Sequence, residues 1–400
     1  MGAAPVRRLP LNSHIQCVGP QAGVSHKDED CGIRVRSPNF ACIPQGVPLW
    51  DMASLTTHHE RALTLLFAEL QAAADEQSEA FLGTPGAITE RENGAGVSYW
   101  VHRYSDAANR RHETYLGKVG DSEVTAKVAA LRERIDVANA TINRVRILAR
   151  SGFATVDRKA FYTLASLHNH GLFRAGAMLI GSHAYGAILN ALGVKAVAYS
   201  TEDVDIARRE ALALSEMPAF LEMLRETGIE FFEVPSLDRG KPGTSFLEKG
   251  GARLRVDLLV PSKDDDYPTV PVPELKAYAK GLPHLGYLLG ASQEIPVLSS
   301  HGVVLVRVPV PERYAIHKLI VSQLRTNTSG KSEKDLLQAA TLFEALAERF
   351  PGAIEDAAAS IPKSAGRHIA RALRVLQKQF PQTDSSAWEA LASIPHDAKD

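Results

Sequence analysis

Residues Ala175–Ala207 read AGAMLIGSHAYGAILNALGVKAVAYSTEDVDIA, and this stretch decides the fold. Met178 to Ile180 is a short apolar run that reads as a strand, Gly181-Ser182 is a turn with a serine placed to cap, and Ala184 to Leu192 is an apolar helix stopped by Gly193. Strand, tight turn and helix form a geometry that receives phosphate. A glycine lets the backbone approach an anion, and the free N–H groups of the first helical turn point at it with the positive end of the helix dipole. Further on, Asp203-Val204-Asp205-Ile206 falls where a strand is expected, and side chains two apart on a strand share a face. Both carboxylates are therefore expected to face one space.

Two carboxylates on one face repel, and burying them unpaired is costly, so such a pair usually has a cation between them. Mg²⁺ suits this spacing, since it takes one or two carboxylates plus substrate phosphates. Arg253–Pro261, RLRVDLLVP, alternates as a second strand: Leu254, Val256 and Leu258 lie on one face, and Asp257 lies on the other with Arg255 and Leu259. Asp257 is thus a third carboxylate, able to accept a proton or to ligate a second metal.

Gly181-Ser182, the Asp203-x-Asp205 pair and Asp257 on a separate strand together resemble the signature of the DNA polymerase beta-like nucleotidyltransferase superfamily. The nearest likeness is to its bacterial branch of nucleotidyltransferase-like proteins, some of whose relatives act as toxins or small-molecule modifiers. The likeness spans roughly residues 151–261 with its motifs, and loosely the helical part beyond. It implies an α+β fold with a small mixed sheet, mostly antiparallel, and helices on one side. It implies further that the Gly-Ser turn holds an NTP such as ATP by its triphosphate, that Asp203 and Asp205 bind Mg²⁺ or Mn²⁺, and that Asp257 joins the metal set and helps activate the acceptor hydroxyl. A lysine on a helix beyond the sheet is expected to contact phosphate, and Lys318 is the candidate, with Lys334 and Asp335 behind it because first-turn charges also serve the helix dipole. Residues 183–202 lengthen the usual gap between turn and aspartate pair, and GVKAVAYST within them reads as an added strand or loop.

A dinucleotide-binding fold is the rival for any strand, glycine and helix. Its G-x-G-x-x-G fingerprint is missing: Gly176, Gly181 and Gly186 are spaced evenly at five-residue intervals, and the second aspartate favours metal over ribose.

The 400 residues allow two or three domains, and 45% hydrophobic content is ample for a core. A formal net charge of -1 gives no global pull toward nucleic acid or anionic membrane, so a nucleic-acid site would be a local patch. No apolar run approaches the roughly 18–20 residues that span a bilayer, and the N-terminus lacks a secretory apolar core, so the chain reads as cytoplasmic and free of membrane. Cys17, Cys31 and Cys42 are spaced unlike a zinc module and read as free thiols.

Four regions are expected. Residues 1–51 read as a disordered leader. Residues 52–150 hold a helix with Leu63, Leu66, Phe67, Leu70 and Ala74 in phase, a β-hairpin over 94–118, and a long basic helix over 119–150. Aromatics beside cations, such as Trp100, Tyr104 and Tyr115 with Arg103, Arg110 and Arg111, are read either as an RNA platform or as an ordinary small sheet with solvated arginines. Residues 151–262 are the catalytic region, with Asp157 capping a helix over 158–169, a helix over 213–227 and a hairpin across Gly250-Gly251. Residues 263–400 read as mainly helical, after a proline-rich boundary and a strand at 303–308. The function expected is transfer of an NMP to a hydroxyl on RNA, protein or a small molecule, with an antitoxin-type partner if the role is toxin-like. The other reading is a catalytically silent binding module, its aspartates paired with Arg208 or Arg209.

Overall fold

The computed structural model describes residues 55–196, 201–213, 218–236, 240–250, 254–263, 267–325 and 329–379, together with Glu389 and Ile394. The expected leader, the three cysteines and Arg253 lie outside the described residues, as do 197–200 within the lengthened gap.

The chain begins with β1 (Thr57–His58), α1 (Arg61–Glu76), β2 (Ala87–Glu92), β3 (Ser98–Ser105), β4 (Arg111–Lys118) and α2 (Ser122–Arg150). Helix α1 starts at Arg61 with no side-chain cap, and it buries Phe67, Leu70 and Ala74. The expected hairpin is a three-stranded meander, β2-β3-β4. Three of its arginines are paired within the sheet or beside it. Arg91 and Arg103 meet Glu113, Arg110 meets Asp106, and Arg132 of α2 lies 4.8 Å over the Trp100 ring. These pairings favour the small-sheet reading over the RNA platform.

The central part holds α3 (Arg158–Asn169), β5 (Met178–Ile180), α4 (Gly181–Leu192), β6 (Val194–Lys195), β7 (Asp203–Ala207), α5 (Phe220–Arg225), β8 (Phe231–Glu233), β9 (Ser245–Glu248) and β10 (Arg255–Pro261). Asp157 caps α3, accepting from the N–H groups of Lys159 and Ala160. Part of the lengthened gap is a strand: β6 pairs antiparallel with β1. Helix α5 is shorter than the 213–227 expected, since Pro218 lies two residues before its start.

Beyond these come β11 (Thr269–Val272), β12 (Ala277–Leu282), α6 (Leu285–Leu288), β13 (Ser292–Ser299), β14 (Gly302–Pro309), α7 (Pro311–Leu324), α8 (Ser329–Arg349), α9 (Ala353–Ala358) and α10 (Gly366–Gln379). The seven-stranded sheet has the order β11-β12-β10-β7-β5, with β8 and β9 added on β10. It is mixed. Strands β7 and β12 run parallel to β10, whereas β5, β9, β8 and β11 pair antiparallel with their neighbours. The fold is α+β, and the sheet runs past residue 262 to take in β11 and β12. Strand β11 carries Pro271 and sits at the edge, where a missing N–H is tolerated.

One continuous apolar core joins the sheet to the helices. It includes Ile188 and Leu189 of α4, Val204 and Ile206 of β7, Val256 and Leu258 of β10, Ile316 and Leu319 of α7, and Phe343 of α8. Because Val204, Ile206, Val256 and Leu258 point inward, strand alternation turns Asp203, Asp205 and Asp257 to the opposite face. Among the described residues no helix is long and apolar enough to cross a membrane.

Candidate active site

Three adjacent strands bring the acidic groups together. The register of β7 and β10 pairs Asp205 with Asp257, and the register of β5 and β7 pairs Ile180 with Asp205. The residue after Ile180 is Gly181, so the turn that opens α4 lies directly against Asp205. Gly181 has φ +71°, and a methyl group there would lie 2.0 Å from Asp205 Oδ2 and 3.0 Å from its Cγ. Only glycine supplies both this backbone conformation and this room.

Helix α4 has no side-chain cap at its start. Ser182, expected to cap, sits inside the first turn, and its hydroxyl accepts from Lys334 Nζ at 2.9 Å. The N–H groups of this first turn therefore have no capping side chain, and Lys334 adds positive charge beside them. The carbonyl of Gly181 accepts from the Tyr314 hydroxyl at 2.7 Å, which ties the turn to α7.

Lys318 is bonded to Asp335 Oδ1 at 2.6 Å and lies 5.4 Å from the centre of the Tyr314 ring. Arg325 donates to the other oxygen of Asp335. The lysine that reaches the Gly-Ser turn is Lys334. It projects from the second turn of α8, which begins at Ser329, not from the first turn as expected, and no local feature of sequence marks it out. Asp335 is almost wholly buried between two cations, so removing it strands the buried Lys318. Asp335→Ala is expected to cost about 3–5 kcal/mol, read from the urea midpoint at constant slope.

The electrostatics of the acidic groups are those of an unneutralised cluster. The Asp205 pKa is pushed up to about 7 by burial, by the Asp257 charge and by the Asp203 charge, with Lys318 and Arg325 opposing. Asp257 is also held above the ordinary carboxylate range, first by burial, while a hydrogen bond from Ser245 and the charges of Arg255 and Lys280 pull the other way. Its Oδ1 is buried and has no hydrogen-bond partner. Asp203 begins β7 and is exposed. Arg208, a candidate partner for the aspartates, is paired with Glu274 at 3.0 Å instead.

These observations test whether a divalent cation fits. A buried carboxylate oxygen without a donor, next to a second carboxylate of raised pKa, is what a cation would relieve. Among the described residues no three His, Cys, Asp or Glu side chains close around one point as a full metal cage. An open set of carboxylates is the arrangement Mg²⁺ uses when phosphates and water complete its shell.

His183 follows Ser182 and is buried; burial lowers its pKa to about 4, so the imidazole is neutral at pH 7. Nothing in the sequence singles out His183, because burial of one helical histidine leaves no local signature. His168 and His170 are occupied elsewhere: His168 Nδ1 bonds the Leu305 carbonyl and His170 pairs with Glu226.

A family model described as nucleotidyltransferase matches residues 159–363, just over half of the chain. The matched span includes the Gly-Ser turn, all three aspartates, Lys318 and Lys334. Comparison with curated proteins and with solved structures found no match.

Proposed function

The chain belongs to the nucleotidyltransferase family, and from that premise we propose that it moves an NMP from an NTP to a hydroxyl acceptor, dependent on Mg²⁺ or Mn²⁺ at Asp203, Asp205 and Asp257. The observation that carries this reading is the contact between Gly181 and Asp205, which puts an uncapped helix start against a cluster of carboxylates. An anion receptor and an acidic cluster repel each other's ligands unless a cation sits between them. A metal-bound triphosphate satisfies both.

In this reading the first-turn N–H groups of α4 and the Lys334 ammonium hold the β and γ phosphates, with the Ser182 hydroxyl orienting them. Divalent cations on the aspartates would neutralise charge at the reacting phosphate and leaving group. The acceptor oxygen attacks the α phosphorus, its proton passes to an Asp257 carboxylate oxygen, and the bond from the α phosphorus to the bridging oxygen breaks to release pyrophosphate. Asp257, paired with Asp205 across β10 and β7, is the carboxylate on the acceptor side in this reading. Positioning and charge neutralisation supply most of the rate gain in such chemistry. The acceptor is a hydroxyl on RNA, protein or a small molecule, and a toxin-like role with an antitoxin partner belongs to the same proposal.

The test is metal-dependent nucleotide binding. Each NTP, with Mg²⁺, is expected to raise the melting temperature of the wild type, and Asp203→Ala is expected to remove the rise. An equal rise without metal, or in the variant, contradicts the reading. Lys334→Ala is expected to raise KM for the NTP about tenfold with a smaller change in kcat, the size of one charge-assisted contact. Steady-state kinetics at saturating acceptor give both values.

A further inference from the structure

The fold leaves a cavity of about 290 Å³ beside the Gly-Ser turn, and nothing so far uses it. Helix α4 contributes Ser182, His183 and Asn190 to its lining, the segment before α3 contributes Phe153 and Thr155, and β13 contributes Leu298. The walls are held by direct bonds. The Asn190 amide accepts from the Ala154 N–H and donates to the Ala154 carbonyl, both at 2.8 Å, and the Val156 N–H donates to the Leu298 carbonyl at 2.9 Å. Phe153 is backed by His59, ring centres 3.8 Å apart. The cavity is therefore a shaped part of the fold.

His183 is the unusual member of that lining. Its side chain is more than nine-tenths buried, and its Nε2 has no hydrogen-bond partner. Buried polar atoms are nearly always satisfied, and an unmet nitrogen on a residue that lines a cavity points to a ligand that completes it once the ring turns toward that cavity. The position of the cavity narrows the choice of ligand. Strand order β10-β7-β5 places Asp257, then Asp205, then the Gly-Ser turn, and the cavity lies against α4, which follows β5. It is thus on the phosphate side of the site, with β7 between it and the acceptor side at Asp257. Its volume is at the small end of ligand pockets, roughly 300–1,000 Å³, which suits one flat heterocycle better than a macromolecular acceptor.

We propose that this cavity receives the nucleobase of the NTP, with His183 Nε2 hydrogen-bonding the edge of the base and thereby selecting among the four. The proposal rests on the nucleotidyl-transfer reading of the neighbouring site. A neutral imidazole nitrogen presents either a donor or an acceptor, and a site built to make one such bond rejects bases that leave it unmade.

The test is calorimetric binding to the full chain in Mg²⁺, using the four NTPs and, as a probe without a base, inorganic tripolyphosphate. The wild type is expected to bind one NTP, or one pair sharing an edge pattern, at least tenfold more tightly than tripolyphosphate. Thr155→Trp fills the cavity from an exposed position and is expected to weaken NTP binding at least tenfold while tripolyphosphate binds as before. His183→Ala is expected to level the preference among the four NTPs, and His183→Gln, which keeps hydrogen-bonding capacity, to restore part of it. If both Thr155→Trp and His183→Ala bind all NTPs as the wild type does, while Lys334→Ala weakens NTP and tripolyphosphate alike, the base lies elsewhere. The proposal is then overturned and the nucleotidyl-transfer reading stands. If the wild type binds neither NTP nor tripolyphosphate in metal, that reading falls and takes this proposal with it.

Discussion

Asp205→Asn is expected to raise the melting temperature of the metal-free protein at pH 7.5 and, in the same molecule, to abolish nucleotidyl transfer. The native carboxylate is poorly accommodated without a cation, as its pKa of about 7 records. A carboxylate whose pKa is raised on folding costs stability once the pH exceeds its unfolded value near 3.8, and the cost is complete above its folded value. The metal-free wild type should therefore lose stability at this site as pH rises from about 4 to about 7. Asparagine keeps the shape and removes the charge. The gain at pH 7.5 is on the order of a few kcal/mol, shrinking toward zero near pH 4. Transfer should fall by about a thousandfold or more, because neutralisation by a bound cation contributes several kcal/mol to the transition state. Melting curves from pH 4 to 8 check the first half and initial rates the second. A variant no more stable than the wild type at pH 7.5, or one that retains activity, contradicts this account of Asp205.

Gly181→Ala is expected to damage fold and function together. At φ +71° an alanine carries a backbone penalty of about 1–2 kcal/mol. Its methyl group would also overlap Asp205 Oδ2, at the end of a short, buried side chain. Overlap of this kind adds about 1–3 kcal/mol, so a total loss of about 2–5 kcal/mol is expected in the urea midpoint. Any protein that remains folded should have Asp205 displaced and no metal-dependent NTP binding. Gly186→Ala, one turn further along α4, is the contrast. It has no positive φ, and its methyl group would meet only the Ala154 methyl at 3.0 Å, so a cost near 1 kcal/mol is expected. Equal tolerance at the two positions would show that the Gly181 contact is not a constraint.

The parts of the site that were legible in the sequence share a local cause. The strand, turn and helix over 178–192 announce themselves because an apolar run meets glycine at both ends of the helix, and the second glycine, Gly193, adopts the left-handed conformation a helix stop favours. Helix α3 was readable to its end residues because Asp157 caps it. The common face of Asp203 and Asp205 followed from strand period alone. The features that escaped are tertiary. Ser182 looked like a cap, but a lysine 152 residues along the chain takes its hydroxyl. Strand β12 does alternate, with Ala277, Ala279 and Gly281 inward, yet residues this small carry little hydrophobic signal. Prolines at 268, 271, 273, 283 and 296 further broke the pattern around β11, β12 and β13. Whether Lys318 or Lys334 meets the turn depends on how α7 and α8 pack, and neither helix encodes that alone.

The central claim is that the carboxylate cluster beside Gly181 moves a nucleotide. Its most direct measurement incubates the purified protein with Mg²⁺ or Mn²⁺ and each α-labelled NTP in turn, with total RNA, cell extract or no acceptor, beside the Asp203→Ala, Asp205→Ala double variant. The account predicts label on an acceptor, with unlabelled pyrophosphate released, for the wild type in metal and for neither the variant nor the metal-free protein. Label transferred equally by the double variant, or no label together with no metal-dependent NTP binding by the wild type, would contradict it.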